Sequence, residues 1–78
     1  MDYKQMKSYR DICMIKADAL EWHIRMIRND LRVANIPNTE VWEKNISMLQ
    51  ADLDMLCDEV ILIQKQMDQD WNIFLEGV

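Results

Sequence analysis

The chain of 78 residues is 50% apolar and 29% charged, and it carries a formal net charge of −5. This balance excludes an intrinsically disordered tail, while a single glycine and a single proline exclude the turn-rich sequence of an all-β fold. The longest aliphatic run, Val60–Ile63, is much shorter than the roughly 20 residues that span a bilayer. No secretory or lipidation motif opens the chain, and we therefore expect a cytoplasmic protein without a membrane span.

The first predicted helix carries a seven-residue repeat of apolar residues along one side, which we call its heptad seam. One position of the repeat holds Met6, Cys13, Leu20, Ile27 and Ala34, and the other holds Tyr3, Ala17, Ile24 and Leu31. Arg10 is the polar exception. Such a repeat is typical of a helix that packs lengthwise against another, and it predicts a helix over residues 3–34.

A turn is predicted at residues 35–38, around the single proline. Pro37 cannot continue the first helix, and Asn38 or Thr39 can accept hydrogen bonds from the free N–H groups that open the second. A connection this short makes the two helices antiparallel, and it pairs positions whose numbers add to roughly 73.

The second predicted helix, over residues 39–76, has a more regular heptad seam. Its members follow alternating steps of four and three residues: Trp42, Ile46, Leu49, Leu53, Leu56, Val60, Ile63, Met67 and Phe74. Asp70 is the polar exception. We expect Arg10 and Asp70 to fix the register or the oligomeric state at some cost in stability, with Tyr3 or Lys4 as a partner for Asp70. Gly77 follows as a C-terminal cap. Residues 1–78 therefore predict one all-α domain, an antiparallel two-helix coiled-coil hairpin.

The first helix has a second apolar stripe on the side opposite its heptad seam. This outer stripe comprises Ile12, Ile15, Ala19, Trp22, Met26 and Val33. Full burial of its five large side chains would be worth on the order of 8–15 kcal/mol, as much as the stability of an ordinary domain. The alternative is an ordinary helix surface enriched in Met and Ile. We favour an interface, and we predict a homodimer that forms a four-helix bundle, or a higher assembly of the same hairpin.

The second helix adds two further apolar features. A weaker counterpart of the outer stripe contains Val41, Met48, Ala51, Met55 and Leu62. The end of the helix is predicted to extend past the first helix with little opposite it, which would leave Trp71, Ile73, Phe74 and Leu75 free for a second copy or a target.

Charge is divided unevenly between the two halves of the chain. Residues 1–36 carry a net charge of +2, and residues 37–78 carry −7. The acidic residues of helix two include Asp52, Asp54, Asp58, Glu59 and Asp68. They either complement the positive charge of helix one and keep the hairpin in solution, or form an acidic face that blocks a nucleic-acid-binding surface of another protein. Direct binding of this face to nucleic acid is disfavoured because phosphate contacts need Lys and Arg.

A short basic strip lies near the turn, at Arg25, Arg28 and Arg32. Cations in the last turns of a helix suit its dipole, and these could pair with Glu40 or Glu43. An RNA-binding helical bundle that uses this strip is the alternative.

No pattern in the sequence predicts an enzyme, a metal site or a cofactor. His23 is the single histidine and lacks a carboxylate three residues before it, and Cys13 and Cys57 form no Cys-x-x-Cys pair. We expect both cysteines to be reduced and partly buried. The single glycine, Gly77, rules out a glycine-rich phosphate loop.

Three features resemble those of small phage-encoded helical proteins of Gram-positive bacteria: Tyr9-Arg10-Asp11-Ile12, the spaced Leu20, Ile24, Ile27 and Leu31, and the heptads after Pro37. That group includes regulators and anti-CRISPR inhibitors of host defence. The resemblance implies interaction rather than catalysis. Our leading hypothesis is a non-enzymatic, homo-oligomeric module that binds a host protein as a phage or mobile-element factor, and the acidic inhibitor and the RNA-binding bundle are the alternatives.

Overall fold

The protein is an elongated hairpin of two α-helices, described by a computed structural model over residues 1–77 without the side chains of Phe74 and Glu76. Helix α1 (Tyr3–Val33) packs against helix α2 (Glu40–Glu76). The hairpin measures 63 × 15 × 15 Å, and its radius of gyration of 18.0 Å far exceeds the roughly 12 Å of a compact domain of this length. Each helix therefore buries one side only, and the remainder of its circumference is surface.

A capping box starts α1. The backbone N–H of Gln5 donates to Asp2 Oδ1 at 2.8 Å, and the backbone N–H of Asp2 donates to Gln5 Oε1 at 3.1 Å. Two N–H groups that the first turn would leave unpaired are thereby satisfied. The helix begins where the heptad seam predicted.

The turn after α1 is built on a left-handed asparagine. Asn35 has φ 51°, a conformation that asparagine tolerates better than most residues because its short polar side chain can bond locally. The N–H of Asn35 donates to the carbonyl of Arg32 at 3.3 Å, and the N–H of Ile36 donates to the carbonyl of Leu31 at 3.4 Å. These two bonds form a Schellman motif, which ends the helix one residue earlier than predicted.

Asn38, one of the two predicted capping residues, bonds the start of α2. Its Oδ1 accepts from the N–H of Glu40 at 3.3 Å, whereas Thr39, at the N-cap position, makes no side-chain capping bond. At the other end, the N–H of Gly77 donates to the carbonyl of Ile73 at 3.1 Å, and Gly77 occupies the predicted cap position.

The core is a single line of side chains along the two predicted heptad seams. Among the side chains that the structure describes, five hydrophobic ones are buried, and all belong to those seams: Met6, Cys13, Ile24, Ile46 and Met67. Most other seam positions are half-buried, and exposure rises towards the ends of the hairpin, at Tyr3, Ala34 and Trp42. The predicted seams are confirmed as the surfaces through which the two helices pack.

Two contacts fix the register between the helices. Arg10 Nη1 donates to Gln64 Oε1 at 2.9 Å, and the rings of Tyr3 and Trp71 lie 6.4 Å apart between centroids. In both pairs the residue numbers add to 74, close to the predicted value. The expected partnership of Asp70 is wrong, since no hydrogen bond or ion pair within residues 1–77 joins it to Tyr3 or Lys4.

Candidate interaction surface

The outer stripe of α1 is exposed along its whole length. Its large members have the following exposed fractions: Ile12 52%, Ile15 69%, Trp22 64%, Met26 39% and Val33 73%. Ala19 is exposed between them. Because the heptad seam of α1 already faces α2, the hairpin has no element left to cover this stripe.

The counterpart on α2 is also exposed, at the following positions: Val41, Met48, Ala51, Met55 and Leu62. It is weaker because charged residues interrupt it, namely Lys44, Asp58 and Lys65, which lie one turn from its apolar members. The larger continuous apolar surface of the hairpin therefore belongs to α1.

A groove runs between the helices on one side of the hairpin, with a volume of about 720 Å³. The lining residues are Tyr9, Lys16, Ala19, Leu20, His23, Asp52, Met55, Leu56 and Glu59. Half-buried Leu20 and Leu56 come from the heptad seams, while the α1 edge carries Lys16 and the α2 edge carries carboxylates. The groove is therefore apolar between edges of opposite charge.

A hydrogen bond crosses the groove. Tyr9 Oη donates to Glu59 Oε2 at 3.2 Å, and it joins the first half of α1 to the middle of α2. The negative charge of Glu59 raises the pKa of Tyr9 above its ordinary value of 10.0, and the Cys13 thiol adds to the effect. Tyr9 is therefore a neutral donor at physiological pH.

The five acidic residues predicted on α2 are all exposed, but they lie on more than one side of the helix. Asp52 and Glu59 line the groove. A step of two residues turns an α-helix by about 200°, which places Asp54 away from the groove. Gln50 Nε2 donates to Asp54 Oδ1 at 3.1 Å, and Gln64 Nε2 donates to Asp68 Oδ1 at 3.0 Å. These carboxylates thus have neutral partners on their own helix.

The basic strip of α1 makes contacts within its own helix. Arg25 Nη2 lies 2.7 Å from Glu21 Oε1, and Arg32 Nη2 donates to Asn29 Oδ1 at 3.0 Å. Arg28 is exposed. Within residues 1–77 no ion pair joins the strip to α2, so the expected pairing with the first turn of that helix is wrong.

The predicted overhang of α2 is shorter than expected. Trp71 contacts the ring of Tyr3, the first residue of α1, so it lies within the hairpin. Ile73 and Leu75 follow with exposed fractions of 67% and 53%, whereas the side chain of Phe74 lies outside the described structure. The unpaired apolar end of α2 therefore begins after Trp71.

The two cysteines form no disulfide and differ in exposure: Cys13 is buried in the core, whereas Cys57 is exposed rather than partly buried as expected.

In the part of the chain that the structure describes, no group of three or more His, Cys, Asp or Glu side chains could hold a metal ion. None of the described helices is both long enough and apolar enough to cross a membrane.

The sequence did contain a signal for the groove, which we had not predicted as a site. Tyr9, Lys16 and His23 recur every seven residues on helix one, and Asp52 and Glu59 have the same spacing on helix two. A seven-residue spacing keeps side chains on one side of a helix, so two facing columns at this spacing indicate the two edges of a groove.

Comparisons of the chain with family models, curated proteins and solved structures found no match.

Proposed function

We propose that the chain is a non-enzymatic protein–protein interaction module that associates with itself and binds a further protein. The observation that carries this proposal is the exposed outer stripe of α1. Within residues 1–77, eighteen large hydrophobic residues are exposed while five hydrophobic residues are buried. Contiguous apolar surface of this kind marks interaction sites, because monomeric proteins rarely leave it open to water.

The size of the stripe is sufficient for self-association. Complete burial of a large apolar side chain is worth roughly 1.5–3 kcal/mol, and the five large side chains of the stripe are 39–73% exposed. Covering them would contribute roughly 5–9 kcal/mol for each copy. Two copies together contribute roughly 10–18 kcal/mol against an association cost of about 4–15 kcal/mol, and this balance favours association.

Light scattering after size exclusion, from 1 to 100 µM protein, tests self-association. We expect a dimer or larger assembly whose apparent mass falls on dilution. The double variant Trp22→Glu/Met26→Glu should be monomeric because it places charges in the stripe. The matched control Met14→Glu/Ile61→Glu changes two other exposed apolar residues and should associate like the wild type. A wild-type monomer at 100 µM would contradict the self-association.

Capture with the tagged full chain tests the second half of the proposal. The resemblance to phage-encoded helical proteins suggests a host protein as the target, in line with an exposed apolar end at Ile73 and Leu75. A protein captured by the wild type, retained after nuclease treatment and lost in Ile73→Glu/Leu75→Glu, is the expected result. Equal capture by that variant would exclude this end as the binding surface.

A second candidate is an acidic inhibitor of a nucleic-acid-binding protein. It is favoured by the exposure of all five predicted acidic residues of α2 and by the absence of any ion pair to them within residues 1–77. Binding of this kind weakens steeply with salt, since it replaces counterions on a basic surface. A partner held at 50 mM salt and released at 500 mM would support it, whereas a salt-insensitive partner supports the apolar surface.

The RNA-binding alternative has less support. Arg25 pairs with Glu21 on its own helix, which lowers the net positive charge of the strip. If RNA binding occurs, changing Arg25, Arg28 and Arg32 to Ala should abolish it. No retention of RNA by the wild type at low salt would remove this alternative.

A further inference from the structure

One edge of the outer stripe changes sign at its midpoint. Asp11, Asp18, Arg25 and Arg32 follow one another at seven-residue intervals, so they form a single line along α1 beside the stripe. The first two are acidic and the last two are basic. The sign changes between Asp18 and Arg25, level with the centre of the stripe at Ala19 and Trp22.

Such a line can pair with itself in only one orientation. When two copies of α1 lie antiparallel, the acidic half of each line faces the basic half of the other. When they lie parallel, the line of one copy faces the opposite edge of the stripe on the other copy, at Lys16, His23 and Asp30, so its two halves do not meet. The charge pattern of this line therefore fits the antiparallel arrangement.

The four central residues of the stripe fit the same arrangement. The outer stripe is itself a heptad repeat, because Ile12, Ile15, Ala19, Trp22 and Met26 follow alternating steps of three and four residues. In the antiparallel pair, Trp22 lies opposite Ala19 of the second copy, and Ile15 lies opposite Met26. The largest side chain thus meets the smallest, as efficient packing requires. The flanking register brings Asp18 beside Arg25 and Asp11 beside Arg32.

We propose that the outer stripe of α1 is a two-fold symmetric interface in which α1 packs antiparallel against α1 of a second copy. This inference rests on the self-association proposed above and specifies its partner, surface and orientation. The pair Arg25–Glu21 does not oppose it, since the two side chains are 76% and 52% exposed and such pairs exchange partners at little cost. The interface leaves α2 and its apolar end on the outside of the dimer, open to a target.

Charge reversal with restoration tests the pairing of Asp18 with Arg25. Each single variant, Asp18→Arg or Arg25→Asp, places like charges at two symmetry-related contacts and should raise the dimer Kd about 5–30-fold. The double variant Asp18→Arg/Arg25→Asp keeps the composition and net charge, and it should return the Kd to within about threefold of the wild type. Sedimentation equilibrium gives the Kd, and far-UV circular dichroism checks that each variant remains helical.

The control is Asp58→Arg on α2, which changes charge by the same amount outside the interface and should leave the Kd within about threefold of the wild type. A double variant as weak as the single variants would overturn the pairing. A wild-type monomer at 100 µM would overturn both this inference and the self-association. A dimer without restoration would overturn only the inference.

Cysteine cross-linking provides a second measurement that does not depend on charge. In a Cys57→Ser background, Ile15→Cys and Met26→Cys are prepared separately and oxidised alone and as an equimolar mixture. The antiparallel interface predicts a disulfide-linked dimer in the mixture and little in either sample alone. Cross-linking of each variant with itself would establish a parallel pair and overturn the inference.

Discussion

Shortening Met67 to alanine should destabilise the hairpin strongly, although the substitution removes only a few atoms. Met67 is 2% exposed on the heptad seam of α2, and the register places it beside Met6, which is also 2% exposed. Met→Ala in a packed core costs about 2–5 kcal/mol, from lost transfer energy and from the cavity that remains. In a two-helix hairpin whose core is one line of side chains, no second layer can collapse into that cavity.

The consequence can be expressed as a melting temperature. An ordinary domain has a free energy of unfolding of about 5–15 kcal/mol, and a domain this small lies towards the lower end. For 60–100 residues a loss of 1 kcal/mol lowers Tm by roughly 4–8 °C. We therefore expect Met67→Ala to lower Tm by about 8–40 °C.

Met48→Ala is the matched control, because it makes the same substitution on the same helix at a side chain that is 69% exposed. It should change the free energy of unfolding by less than about 0.5 kcal/mol. Both variants are followed by far-UV circular dichroism in urea and on heating, at one fixed protein concentration, since association would add to apparent stability. Equal losses in the two variants would refute the assignment of the core to the heptad seams.

Three further predictions follow from local geometry. Glu59→Gln removes the main cause of the raised Tyr9 pKa, so Tyr9 should ionise at a lower pH than in the wild type; an NMR titration of the ring that shows no shift would contradict this. Asn35→Ala should cost about 1 kcal/mol because alanine resists positive φ, whereas Asn35→Gly should be neutral or stabilising, as measured by urea unfolding. A thiol reagent should modify Cys57 at once and Cys13 only after unfolding, and equal rates in the native protein would show that the core is open.

The shape of the molecule places its candidate binding features on its surface. Over residues 1–77 the hairpin is 63 Å long and 15 Å wide, and its helices pack along a single line of side chains. Its open groove carries Lys16 and His23 on one edge and Asp52 on the other, without an ion pair between them in the described chain. The candidate binding sites for another protein are therefore extended surfaces: the outer stripe, the groove and the end of α2.

The heptad seams, the helix bounds to within a residue and the register were predictable from the sequence because each depends on short-range rules. A repeat of 3.5 residues selects one side of a helix, and a short turn at Pro37 forces the two helices to be antiparallel. The outer stripe could be identified in the same way, since Ile12 and Trp22 lie opposite the seam by periodicity alone. The sign change from Asp18 to Arg25 is likewise a property of spacing.

Other features depended on how the two helices sit against each other. A shift of about one residue between the helices along the hairpin axis decides whether Trp71 contacts Tyr3 or extends past the end of α1. The bond from Tyr9 to Glu59, and the groove that it crosses, depend on the rotation of each helix about its own axis. Heptad spacing determines which side of a helix is apolar. Only the packed pair determines which polar side chains from the two helices come within bonding distance, because a hydrogen bond tolerates only a few tenths of an ångström.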